Sequence, residues 1–536
     1  MPIRMTDDPQ DQQDYNDNQG GGGQPNFPGG GGGGGGLITL LPLLLRLFRG
    51  KGIIILIVLA VAGYFLLGKG GGCNLSQVVQ QLATGGLLDP EQFKKAAIYE
   101  PLSIDDPNNE PLPESVNLQK FAPNVGNQGQ QGSCVAWSSA YAARTILESA
   151  RTGKPGEQLK FSPAFLYNQI GLDGCQGSYI VRAMEFMTKQ GSVPYSDFEY
   201  TDQDCSRQPD PSLSQEAQQF RMHGFNRLSL GDRTDAIDLN AIRQNLAQGA
   251  PVVIGMMVGG SFMQPMMGQD VWVPDASDQS MIGFGGHAMC VVGYDDKKYG
   301  GAFLLMNSWG PEWGNNGFAW VRYGDFKYYV REVYGLDPMA KTGEAANTAF
   351  SCEIGLMQVS FDGGKMQTNG YLSLRLSGGN RFETKSPVQI GSKFKVEIKN
   401  NTECYIYVFG KETDGTSYTL FPYPTREDPT KTRYSPFCGI TGYRLFPKDK
   451  SMTPDSIGTR DEIAVVVSKD SLDWNRINQQ ISQNPQSDFG SRLNDVLGDK
   501  LMRNVRFTTG SSGTMQFETA ASEGKVIAAI IAIDKQ

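Results

Sequence analysis

Asn127-Gln128-Gly129-Gln130-Gln131-Gly132-Ser133-Cys134-Val135-Ala136-Trp137 is the stretch on which the fold turns. Glycines and short polar residues lead up to Cys134, and from there to Ala150 the apolar spacing becomes helical, so a lone cysteine stands at a helix start. A thiol in that position is a candidate nucleophile, which then needs a base within reach and an oxyanion donor. The search for a base is short, because the chain has 2 histidines. His287 lies in Gly285-Gly286-His287-Ala288-Met289-Cys290-Val291-Val292-Gly293-Tyr294, where glycines leave room beside the ring and an apolar strand begins. His223, in Arg221-Met222-His223-Gly224-Phe225, has no such frame and reads as structural. Asn307 follows another apolar run in Met306-Asn307-Ser308-Trp309-Gly310. Its amide oxygen can accept from the imidazole and fix the tautomer, and Trp309 can shield that bond from water.

Together these blocks resemble the papain-like cysteine peptidases. Gln128 with Gly132-Ser133-Cys134, Gly286-His287-Ala288 with Gly293-Tyr294, and Asn307-Ser308-Trp309-Gly310 followed by Trp313-Gly314 and Gly317-Phe318 match that family's motifs in order. The likeness covers about residues 112–338, with a Cys-to-His spacing slightly above the roughly 130 to 150 residues usual there. It implies an α+β catalytic domain of two lobes, one helical and one β-barrel-like, working without cofactor or metal. Cys134 would attack the peptide carbonyl, His287 take and return the proton, Asn307 orient His287, and Gln128 serve the oxyanion beside the Cys134 backbone N–H. Helix start and imidazolium together imply a thiolate at neutral pH, the thiol falling from about 8.5 to roughly 3 to 4, a magnitude taken from papain itself. Gly174-Cys175-Gln176-Gly177-Ser178-Tyr179 resembles the substrate wall, whose backbone, at Gly177 and Ser178, pairs with an extended peptide. Tyr179, Ile180, Gly255 and Ala288, with Gly286 and Trp309 close by, would receive the second residue before the scissile bond, expected to be apolar.

The chain also departs from the family pattern. Gln131 stands where a cysteine often bonds to the glycine-rich wall, so Cys175 lacks its usual mate and Cys205 is the nearest substitute. Val135 replaces the usual Trp. The same triad would serve acyl transfer to an amine, and the same scaffold a catalytically silent binding protein, although the intact Cys134, His287, Asn307 and Gln128 oppose the latter.

With 536 residues the chain has room for several domains, and its net charge of -8 offers nucleic acid little. Residues 1–36, rich in Asp, Gln, Asn and then Gly, read as a disordered cytoplasmic arm. A membrane segment is expected over 37–68, its span the uncharged run of about fifteen residues at 53–67, short against the roughly 17 to 25 of a typical crossing. Arg46, Arg49 and Lys51 precede it, which predicts an inside N-terminus and a catalytic domain in the periplasm or outside, on a bacterial cell. Residues 69–111 read as a stalk or a short pro-like linker, too short for the family's long inhibitory propeptide, and 339–350 as a linker. Residues 351–536 read as a mainly β accessory domain with helices near Trp474–Ser482 and Arg492–Leu501, resembling an uncharacterised bacterial accessory domain. Its aromatics Tyr423, Tyr434 and Phe437 are candidates for docking a protein or glycan, though core is the commoner use of such residues.

Overall fold

The computed structural model describes residues 2–9, 85–88, 112–229, 237–339, 349–362, 365–432, 434–438, 443–447, 450–520 and 524–536. The expected membrane segment at 37–68 and most of the stalk lie outside these, and among the described residues no helix is long and apolar enough to cross a membrane.

Helical winding runs without a break from Cys134 through Thr152, its middle, Trp137–Arg144, wound with the wider i→i+5 turn. Ala136, Ala140, Ala142 and Ala143 keep it thin and fully buried, and Gly153 at φ 73° ends it. Around it stand helices Pro163–Ile170, started by the Ser162 side chain, and Ile180–Lys189, the second where the helical spacing predicts it. Opposite lies a twisted sheet in the order Phe225–Arg227, Val330–Leu336, Val252–Val258, Gly285–Asp295, Ala302–Met306, Phe318–Arg322, Val271–Trp272. All its pairs are antiparallel except the last, and Ser115–Asn117 adds to the 11-residue strand Gly285–Asp295. This central strand is buried on both faces from His287 to Tyr294, which explains its continuous apolar run, and Cys290 is core. Because Cys290 pairs with Met306, Asn307 emerges just past the end of the neighbouring strand, on the side where His287 begins its own.

The C-terminal region is mainly β, as its alternating runs predict. Strands Phe350–Asp362, Lys393–Asn400 and Met515–Thr519 lie in one sheet, and Cys404–Lys411, Arg460–Ser468 and Val526–Asp534 in another, with one apolar core shared between the sheets. The turn at Asp414-Gly415 joins Cys404–Lys411 to Ser417–Phe421, with Gly415 at φ 89°. Helices Trp474–Gln483 and Phe489–Leu497 cover the outer face of the second sheet. The second helix begins three residues before the expected Arg492, because the Asp488 carboxylate accepts from Ser491 N at 2.8 Å, and it stops at Gly498 rather than continuing to Leu501. Tyr434 and Phe437 are buried, so they serve as core.

The reading of 1–36 as a disordered arm needs correction at its start. Ile3–Asp7 forms a strand antiparallel to Lys450–Pro454, with Ile3 fully buried in the accessory core. The peptidase-like region touches the accessory domain through His223, whose Nδ1 lies 3.0 Å from Glu403 Oε2 and whose ring meets the edge of Phe437.

Candidate active site

Cys134 occupies the first turn of its helix and faces the start of strand Gly285–Asp295, where Ala288 N–H donates to its Sγ at 3.4 Å. On that strand His287 is fully buried, with Nε2 2.8 Å from Asn307 Oδ1. Ser308 N also donates to Asn307 Oδ1, at 2.7 Å, which identifies that atom as the acceptor and gives the imidazole proton to Nε2. Trp309 stacks on the imidazole at 4.4 Å and 24°, covering the His287–Asn307 bond as its place in the sequence predicts.

Gln128 is fully buried six residues before the cysteine. Its side-chain oxygen accepts from Ser308 Oγ at 2.7 Å and its Nε2 donates to Gln131 O at 3.0 Å, so the amide is held with its donor end beside the turn that carries Cys134. Gln128 N also donates to Ser308 O at 2.8 Å, tying the nucleophile loop to the Asn307 loop. Sequence reasoning missed Tyr200. Its hydroxyl donates to Gln128 O at 2.8 Å and lies 2.6 Å from Ser133 Oγ, while its ring meets Trp137 at 4.9 Å. Asp202 adds a carboxylate to Gln130 N at 3.1 Å. These contacts stiffen the loop where position 131 has no cysteine. Cys175 pairs instead with Cys205, Cα to Cα 6.0 Å, the substitute the sequence offers.

The cleft holds a segment of the chain itself. Residues Gly85-Gly86-Leu87-Leu88 lie along it: Ser178 N donates to Gly85 O, Leu87 N to Ser178 O and Gly86 N to Gly286 O, each at 3.1 Å. Gly286 must lack a side chain for this, since a Cβ there would fall 2.2 Å from Gly86 O. At Gly255 a Cβ would meet Leu88 Cδ2 at 2.5 Å, with Ile180 Cδ1 at 3.4 Å. The apolar pocket expected from Ile180, Gly255 and their neighbours therefore receives Leu88, and the Gly177-Ser178-Tyr179 wall supplies the backbone pairing. Gly85 lies nearest Gly132, close to the nucleophile, and Leu88 sits in the pocket, so the segment runs from cysteine towards pocket. A peptide to be cut, with its second residue before the scissile bond in that pocket, runs the other way. A short piece of the 69–111 segment thus lies in the cleft.

Burial also reverses the expected thiol chemistry. Cys134 is fully buried, and desolvation pushes its thiol up to about 12, against which the N–H groups of Ala288 and Val135 pull only weakly. In this covered state the group is a thiol, not the thiolate expected for an open cleft.

Known proteins resemble this chain over the same region. The sequence model described as papain family cysteine protease matches residues 112–334, and one described as a domain of unknown function (DUF4384) matches 387–436. Human (Homo sapiens) cathepsin L2 is 28% identical over 250 residues, 44% of this chain and 66% of that protein. Cathepsin K of Mus musculus is 27% identical over 254 residues, 46% of this chain and 70% of that one. Among solved structures, xylellain, a cysteine protease from Xylella fastidiosa, superposes with a TM-score of 0.40 at 22% identity, covering 48% of this chain and 97% of that one. The catalytic region, residues 112–334, is a cysteine peptidase domain of the papain family.

Proposed function

We propose that this chain is a cysteine endopeptidase using Cys134, His287 and Asn307, with Gln128 and the Cys134 N–H receiving the oxyanion. The observation that carries the proposal is the 2.8 Å bond from His287 Nε2 to Asn307 Oδ1 beside a buried Cys134. With Nε2 committed to Asn307, Nδ1 is the nitrogen that takes the thiol proton as the Sγ–C bond forms. The peptide C–N bond then breaks, and His287 returns the proton to the departing amine. Water attacks the thioester next, giving its proton to His287, and the C–S bond breaks with release of the acid and the restored thiol. Residues 85–88 must leave the cleft before any of this begins. Substrates are extended peptides with an apolar residue two before the cut, the side chain Leu88 now mimics. Membrane attachment through the apolar run at 53–67, with residues 2–8 on the enzyme's side, and placement of the enzyme in the periplasm or outside belong to the same proposal. The Cys175–Cys205 disulfide supports an oxidising compartment. Docking of a protein or glycan by the accessory domain remains part of it as well, through surfaces other than the buried Tyr434 and Phe437.

The test compares the full chain with its Cys134→Ala form, both nicked by an added protease between Leu88 and Leu112. On a peptide library the cysteine form should cut after apolar second residues and take up an epoxide thiol reagent at Cys134, while Cys134→Ala loses about 10⁴-fold or more in kcat/KM. Equal activity of the two forms would sink the assignment.

A further inference from the structure

Residues 2–8 are built into the accessory domain in a way that constrains where the rest of the chain can go. Five consecutive pairs, from Ile3 with Pro454 to Asp7 with Lys450, form an antiparallel ladder, and Asp455 N donates to Pro2 O at 2.8 Å. Ile3 is fully buried, and its own N–H donates to the Tyr418 hydroxyl at 3.0 Å. Asp8 follows with a buried carboxylate 2.7 Å from the ammonium of Lys395, a side chain only 1% exposed. That ammonium also donates to Pro447 O at 2.6 Å, and Ser451 Oγ donates to Asp8 at 2.6 Å. At the rim Asp7 pairs with Lys450, and Arg4 lies 3.6 Å from Asp455. A loose tail needs none of this. Backbone ladder, apolar anchor and buried charge pair all match this one segment in this one register.

We infer that residues 2–8 are a permanent edge strand of their own chain's accessory domain, so that the N-terminus and the accessory domain share one compartment. Hydrogen bonds and a buried ion pair cannot form across a bilayer. An arrangement with residues 2–8 in the cytoplasm and the accessory domain outside is therefore incompatible with this strand. The inference does not rest on the catalytic assignment, and its test does not read activity.

The test places cysteines at a facing pair in the full chain, Arg4→Cys with Thr453→Cys, and, in case that variant folds poorly, Met5→Cys with Met452→Cys. In whole cells the expected product is an internally cross-linked monomer that migrates faster before reduction. Cross-linked dimers alone, or no cross-link with either pair, would overturn the inference. A second measurement inserts one epitope in the glycine run at 29–36 and another after Gln536 in sealed vesicles. A protease added on one side should remove both or neither, and removal of one alone would overturn the shared compartment.

Discussion

Tyr200 stiffens the loop before Cys134. One hydroxyl bonds the carbonyl of Gln128 and meets the hydroxyl of Ser133, so it fixes both Gln128 and the residue before Cys134. Tyr200→Phe keeps the ring against Trp137 and removes only those bonds, at a cost of about 1 to 1.5 kcal/mol. The expected outcome is a roughly tenfold fall in kcat/KM, seen mainly in kcat, with the chain still folded by circular dichroism. An unchanged kcat would show that the loop is held without it. Cys134, His287, Asn307 and Gln128 are legible in the sequence because each sits in a short local pattern, glycines beside the ring or small residues at a helix start. Tyr200 is not. Its partners lie 67 and 72 residues away, and no spacing around it announces the contact.

The four residues Gly85–Leu88 show how little chain is needed to silence a cleft. Beside them Cys134 is fully buried, and desolvation pushes its thiol up to about 12, so at neutral pH nearly all of it is protonated. A raised value means less thiolate and slower alkylation. At pH 7.5 iodoacetamide should therefore label Cys134 slowly in the intact chain and at least tenfold faster once the chain is cut between Leu88 and Leu112 and the segment has left. Equal rates would mean that burial by this segment does not control the thiol. Elements of this kind divide by how they can be read. Val252–Val258 and Ile180–Lys189 fall where their apolar spacing predicts, since one face or both meet a core. Ile3–Asp7 is only 5 residues long and its partner strand starts at Lys450, so its alternation of Ile3 and Met5 is too brief to stand out from a polar, glycine-rich tail. The same brevity hides Leu87-Leu88, although a pair of leucines after two glycines is the signal that was there to be found.

Across the molecule, the bond between His223 and Glu403 joins the peptidase domain to its accessory neighbour. The hydrogen bond to Glu403 raises the imidazole above its ordinary value, with burial opposing, Asp337 adding to the rise and Arg144 subtracting from it. A raised folded-state value stabilises fully below the unfolded pKa of about 6.5 and loses that effect as pH climbs through the folded one. Thermal unfolding of the full chain and of its His223→Gln form should accordingly differ most near pH 5.5, with the gap shrinking as pH rises above the unfolded value. A gap that stays constant with pH would reduce His223 to packing against Phe437. The sequence shows His223 without glycine framing and so without a catalytic setting. Its partner at 403 lies in another domain, and such pairings are set by how two folded surfaces meet rather than by neighbours along the chain.

The reversed course of Gly85–Leu88 separates two things a cleft must do. Holding a strand asks for evenly spaced donors and acceptors and for a pocket in phase with them, and Ser178, Gly286 and the Gly255 pocket supply these whichever end of the strand arrives first. Breaking a bond asks also for polarity: a carbonyl carbon must be turned to the sulfur and a leaving nitrogen to the imidazole. This site reads spacing by its walls and direction by its chemistry, so a segment with the right spacing and the wrong direction is bound as a substrate and spared as a bystander.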